Sequence, residues 1–239
     1  MKILILIIYS ENEYYREMLG IQKKYIHKNR NCESYFIQFK EDMCQDIEII
    51  DDFIYVKGTE HLLKMTEKTI KSLKHLFFTL NKEYDYIVRT NISTIINHHL
   101  LINNLEKMSR TNIYIGGKLL NLQWLDHPLG IFDDKYFGTI FVQGTGIVLS
   151  KDVVLDILKN DDKLDYNIAD DVGIAVYIKK YNNDAFQNML LYELPILIYD
   201  KTHNIDSIAN YVFIRNKIFS KNRNIDIINM NNQVQTLYY

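Results

Sequence analysis

The feature that most constrains this chain is its first segment, KILILIIYS, residues 2 to 10. An unbroken apolar run rich in isoleucine has no polar face to offer water. It therefore suits a strand buried on both faces of a sheet, the environment of parallel strands covered by helices. A short apolar stretch behind a lysine can also be read as a secretory leader. This run is too short to cross a bilayer, and no small-residue cleavage site follows it. The strand reading leads, and it predicts an α/β fold.

The rest of the chain alternates in the same sense. ENEYYREMLGIQKKYIHKN places Tyr15, Met18, Leu19, Gln22 and Tyr25 near helical spacing, with acids first and bases last, as the helix dipole prefers. SYFIQF is a second strand, followed by the acidic segment KEDMCQDIEIIDDFIYV, in which Asp51 and Asp52 are expected to cap or buttress a strand. TEHLLKMTEKTIKSLKHLFFTL carries Leu63, Ile70, Leu73, Phe77 and Leu80 at helical intervals, with Thr59 as N-cap. YDYIVRT is a strand, and a helix is predicted from about Thr94 to Met108. TNIYIGGKLL is a strand, NLQWLDHPLGIFDDKYFG a loop, and TIFVQGTGIVLS a strand interrupted by Gly144 and Gly146. Two helices, KDVVLDILK and NIADDVGIAVYIKK, precede a late strand, LLYELPILIY, and a basic, Asn-rich tail from about residue 200. The expected fold is one α/β domain over residues 1–239, with a mostly parallel central sheet flanked by helices. No repeat or linker divides it, and 239 residues can bury a core without staples.

Composition narrows the function. A net charge of −2 and a pI near 6.4 exert no general pull on nucleic acid or an anionic membrane. Cys32 and Cys44 make no disulfide framework and no zinc spacing. The chain is therefore expected in a reducing, cytoplasmic compartment, with no membrane span and no nucleic-acid partner. No P-loop or dinucleotide glycine fingerprint follows the first strand.

Ligands of open α/β sheets bind beyond the carboxyl ends of the strands. Three candidate ends exist: Tyr9-Ser10, Arg89 to Ser93, and Gly144 to Gly146. Arg215 and Lys217 in YVFIRNK fall on one side of an extended segment and suit phosphate oxygens.

Taken in order, several pieces resemble the GT-A glycosyltransferases of the β-1,3-galactosyltransferase and Fringe type. LIIYSENEYYREMLGIQKKY is similar to that family's first strand and arginine-bearing helix. DDFIYVKGTEHLLKMTEKTIKSLKHLF is similar to its Leu-Thr-x-Lys-Thr and Leu-Lys pattern. YDYIVRTNIS stands at its metal-binding strand end, FVQGTGIVLSKDVV at its Gly-x-Gly, Val-Leu-Ser segment, and IADDVGIAVYI at its Glu-Asp-Val-Gly segment. The series covers roughly residues 3 to 180. It implies transfer of a sugar from a nucleoside-diphosphate donor, a UDP-sugar first, to a hydroxyl of a glycan or glycoprotein. Asp171 is then the general base of an inverting reaction, with Asp170 as second choice. Tyr9, Ser10, Arg16, Lys68, Arg89, Asn91, Ser93, Arg215 and Lys217 are the candidate donor-binding residues. Trp124, Asp126, His127, Gly144, Thr145 and Gly146 are those for the acceptor.

One departure is clear. Where the family carries a run of aspartates, this chain has Asn91, Ile92 and Ser93. A hard divalent cation wants anionic oxygens, so dependence on Mn²⁺ or Mg²⁺ is expected to be weak or dispensable, with cationic side chains in the ion's place. His203 is a weak metal-ligand candidate. Each assignment has a plainer counterpart. Asn91 can cap the following helix; Asp170 and Asp171 can serve the start of theirs. Gly144 and Gly146 can mark a bulge, Trp124 can be core, and His203 can be a surface residue. The leading alternative function is a non-catalytic nucleotide-sugar or carbohydrate-binding relic of the same fold; a third is a retaining transferase that does not use Asp171 as base.

Overall fold

The computed structural model describes residues 1–199, 205–217 and 223–239. The opening apolar run forms β1, Ile3–Ile8, with every residue buried. Asn12 caps α1, Glu13–Gln22, by accepting the Tyr15 amide. The helix stops there, and the rest of the segment predicted helical runs as turns to β2, Cys32–Lys40. The acidic segment folds into a hairpin, β3 Ile47–Ile50 and β4 Phe53–Lys57, with Asp51 at φ 52° in its turn. The Asp52 carboxylate faces His27 at 2.8 Å.

The helix α2 is Met65–Lys74 and has no side-chain cap. Thr59 is therefore not its N-cap; the chain turns first through Leu62–Lys64, where His61 Nδ1 accepts the Leu63 amide. β5, Tyr86–Asn91, follows. The helix predicted from Thr94 is half strand: β6 is Thr94–Ile96, and α3, His98–Leu105, begins only after Asn97, whose carboxamide accepts the Leu100 amide. Thr94, Ile95 and Ile96 are β-branched and fully buried, which favours the extended form once a partner strand is present. Asn91 is thus the last residue of a strand, not a helix cap.

The second half adds β7, Tyr114–Gly116, and β8, Leu119–Asn121. TIFVQGTGIVLS divides into β9, Ile140–Val142, and β10, Gly146–Ser150, which belong to different sheets. Helices α4, Lys151–Lys159, α5, Asp170–Tyr181, and α6, Asn183–Leu191, follow. The predicted late strand is shortened to β11, Ile196–Tyr199, because α6 takes its first residues. Within the described part of the polar tail, β12 is Phe213–Asn216 and α7 is Arg223–Tyr238. Met230 and Val234 anchor α7 in the core, and the Asn216 and Gln233 carboxamides exchange hydrogen bonds of 2.8 and 2.9 Å across it.

The main sheet has seven strands in the order β3-β4-β2-β1-β5-β10-β7. Strands β4, β2, β1 and β5 are parallel, whereas β3 and β10 run antiparallel to their neighbours. The sheet is mostly parallel, with β1 at its centre, which is why β1 is apolar on both faces. One apolar core lies beneath α2, α4 and α5, and the other lies against α1, α3 and α7. A second sheet, β11-β12-β6, leads away from the end of β5, and β8 pairs with β9. Among the described residues, no helix is long and apolar enough to cross a membrane.

Candidate functional site

The carboxyl ends of β1 and β5 lie side by side, with Ile8 opposite Asn91, and the amino end of β10 meets them with Gly146 opposite Thr90. The turn before β10 fits into this junction through Gly144. Its carbonyl accepts a hydrogen bond from Asn91 Nδ2 at 2.6 Å and another from Arg89 Nη1, while its amide donates to Asp171 Oδ2 at 2.9 Å. Thr90 Oγ1 donates to the Thr145 carbonyl at 2.7 Å. A Cβ on residue 144 would stand 2.6 Å from Arg89 Nη1, so a side chain there would have to displace the ion-paired guanidinium; close approach rather than backbone angle favours glycine. Gly146 is closed in the same way by the ring of Phe213, 2.6 Å from where its Cβ would be.

The two aspartates that open α5 have different partners. Asp170 is buried and takes Arg89 Nη2 at 2.7 Å on Oδ1 and 2.6 Å on Oδ2, a largely buried ion pair. Asp171 faces the cleft and has no cation within ion-pair distance among the described residues; Oδ1 accepts the Val172 amide and Oδ2 the Gly144 amide, each at 2.9 Å. Burial, and then the Asp170 charge beside it, push the Asp171 carboxyl up to about 6, against the opposing pull of Arg89 and the two amides. Ala169, not either aspartate, is the N-cap of α5.

These groups line a two-lobed cleft. A lobe of about 400 Å³ holds Asp170, Asp171, Gln143, Gly144, Thr145 and Lys217. A lobe of about 260 Å³ holds Ser10, Tyr15, Ile92 and Ser93. Arg89, Asn91 and Arg215 stand at the waist common to both, under an apolar lip of Leu62 and Met65. A larger groove of about 490 Å³ between α1 and α7 lies away from these strand ends. The cleft is the stronger candidate because it combines strand ends with a carboxyl of shifted proton affinity.

The cleft therefore brings together Ser10, Arg89, Asn91, Ser93, Gly144, Thr145, Asp170, Asp171, Arg215 and Lys217. Other expected residues stand outside its lining. Arg16 is exposed on α1 and pairs with Glu11 at 2.7 Å. Tyr9 is buried against Phe36 and Phe53, and its hydroxyl donates to Glu11. Lys68 is fully buried; its Nζ donates to the Tyr9 carbonyl at 2.9 Å and to Glu60 at 2.8 Å. It braces the end of β1 from behind, and burial lowers its proton affinity. Gly146 is covered by Phe213. Trp124 leans on Phe141 at 6.5 Å between ring centroids, His127 on Phe132 at 5.5 Å, and Asp126 bonds through its backbone to Ile131. Of their loop, Leu129 lines the cleft among the described residues. His203 lies outside the described residues.

Sequence reasoning missed Tyr15, Leu62, Met65, Leu129, Gln143 and Ile198 as lining residues. Gln143 had a signal in its place just before Gly144; the apolar ones read as core. The residues at the strand end do not fit a divalent cation. Asn91 turns its amide nitrogen to Gly144, Asp170 is committed to Arg89, and among the described residues no three His, Cys, Asp or Glu side chains gather to hold a metal. A scan against protein-family models and a search of curated proteins return no match for this chain.

Proposed function

We propose that the cleft transfers a glycosyl group from a nucleoside-diphosphate sugar, a UDP-sugar first, to an acceptor hydroxyl. The observation that carries this reading is Asp171, a cleft-facing carboxylate held by the Gly144 and Val172 amides, whose carboxyl burial and the neighbouring Asp170 charge push up to about 6. Such a group is ionised at neutral pH yet basic enough to share a proton in a transition state. Asp171 accepts the acceptor's hydroxyl proton as that oxygen bonds to the anomeric carbon. The bond to the diphosphate oxygen breaks on the opposite face, which inverts the configuration. The Gly144 and Val172 amides hold the carboxylate in place and leave a second lone pair on each oxygen for the acceptor. Arg215 and Lys217 face the charge that develops on the leaving diphosphate. The resemblance in motif order supports the same assignment.

A binding-only reading has one observation in its favour: both Asp171 oxygens already accept backbone amides, as they would in a purely structural role. Incubating the purified chain with UDP-sugars and simple glycoside acceptors separates the two. Turnover that falls about 10²-fold or more in Asp171→Asn supports transfer. Donor binding without any consumption, in wild type and variant alike, favours the relic.

A further inference from the structure

Arg215 is a cation of the cleft that has no acid partner among the described residues. It lies on β12 directly opposite Thr94, so its guanidinium stands beside the strand end that carries Asn91 and Ser93. Its hydrogen bond within the chain is a long one, 3.4 Å from Nη1 to Thr94 Oγ1. Among the described residues, no carboxylate lies within ion-pair distance of it. Burial lowers its pKa to about 10; Arg89 and Arg223 push in the same direction, against opposing pulls, each smaller than the effect of burial, from Tyr15 and, at longer range than an ion pair, Asp226. Holding a desolvated guanidinium without an acid is costly unless an anion arrives to pair with it.

The charges around it are uneven. The larger lobe is lined by three cations, Arg89, Arg215 and Lys217, and two carboxylates, Asp170 and Asp171. Arg89 and Asp170 neutralise each other. Arg215 and Lys217 remain, with Asp171 on the other side of the lobe. A divalent cation entering here would join two cations and find one uncommitted carboxylate. A doubly charged anion would find two donors, one of them a planar fork matched to phosphate oxygens.

We infer that Arg215 at the waist and Lys217 in the adjoining larger lobe form a diphosphate clamp, which binds the pyrophosphate group of a nucleotide without a divalent cation. The clamp rests on the transferase reading for its biological ligand, but its chemistry is testable apart from it. The two phosphoryl groups run from the waist into the larger lobe, one against the Arg215 fork and the other against the Lys217 ammonium, with the nucleoside towards Ser10 and Tyr15 and the transferred group towards Asp171.

The test is calorimetric titration of the full chain with inorganic pyrophosphate, UDP and uridine, each in EDTA and in Mn²⁺. Pyrophosphate and UDP are expected to bind in EDTA with affinity within about threefold of that in Mn²⁺, a difference under 1 kcal/mol. Arg215→Gln is expected to weaken both by about tenfold or more, as for a charged hydrogen bond, and to leave uridine unchanged. Lys217→Gln should act in the same direction. Arg215→Lys, which keeps the charge and loses the fork, should fall between wild type and Arg215→Gln. Should Arg215→Gln not fold, the stabilisation of the wild type by pyrophosphate in EDTA carries the test. Binding that requires Mn²⁺, or that is indifferent to both substitutions, overturns the clamp. Pyrophosphate binding through Arg215 with no consumption of any nucleotide sugar upholds the clamp and overturns the transferase reading instead.

Discussion

Replacing Asp171 by asparagine separates a functional carboxylate from a helix-start residue through the pH dependence of stability alone. The Asp171 carboxyl rises from its ordinary 3.8 to about 6 on folding. Between those values the folded chain binds more protons than the unfolded chain, so stability falls as pH rises. The contribution is fully present below about pH 4 and lost as pH passes about 6. Roughly two pKa units at 1.36 kcal/mol each set a ceiling of about 3 kcal/mol, and the half-open position of the carboxylate reduces it to about 1–2 kcal/mol. Asparagine does not titrate, so this slope disappears. It also satisfies only one of the Gly144 and Val172 amides, at a cost of about 1–3 kcal/mol that does not vary with pH. Asp171→Asn is therefore expected to be less stable than wild type at pH 4 and to close that gap by about 1–2 kcal/mol at pH 8. The assay is urea unfolding of both proteins at unit pH intervals from 4 to 8. A residue that served the helix start would behave oppositely, because its ionised form favours the helix dipole and the deficit would grow with pH. Parallel stability curves, or a widening gap, refute the reasoning.

Other outcomes follow from the same junction. If Asp171 is the base, wild-type kcat/KM should rise through about pH 6 on its acid limb, where the carboxyl ionises; a flat profile from pH 5 to 8 removes it from the proton transfer. Asp170→Asn leaves Arg89 buried without its acid and should cost about 3–5 kcal/mol, with most of that recovered in Asp170→Asn/Arg89→Met, as a double-mutant cycle in urea would show. Gly144→Ala places a methyl 2.6 Å from Arg89 Nη1 and should lower both Tm and donor affinity, as thermal melts and UDP titration would show. Asn91→Ala and Asn97→Ala form a contrasting pair. Asn97→Ala should cost about 1 kcal/mol as the loss of a helix cap with UDP binding unchanged, whereas Asn91→Ala should weaken UDP binding by releasing the Gly144 turn. Equal binding in the two variants would remove Asn91 from the site.

Much of the candidate site was legible residue by residue. Arg89 and Asn91 ended a strand pattern, Asp170 and Asp171 opened a helix, and Gly144 interrupted an apolar run, each a local signal. Their relations were not legible. Arg89 and Asp170 are 81 positions apart, and nothing in either segment indicates that one of the paired aspartates is neutralised and the other left to the cleft. Lys68 shows the converse: a lysine in a helix reads as a surface or ligand-facing cation, and packing turned it inward to brace the end of β1.

By itself, the sequence determined the burial pattern. Six apolar residues in succession required a strand covered on both faces, and the alternation of such runs with amphipathic helices required an α/β sheet. Burial period is a local property, carried by neighbours within a turn or two. Tertiary structure decided what depends on distant partners. Thr94–Ile96 is a strand because β12 supplies hydrogen bonds from residues 213 to 215, well over a hundred positions away. The Asn-rich tail folds because a few buried residues, Met230 and Val234 with the Asn216–Gln233 pair, anchor a helix whose outer surface is polar and gives little periodic signal. The same pairing of β12 with β6 carries Arg215 to the end of β5, and it is this contact that sets a cation where the motif order had led one to look for carboxylates.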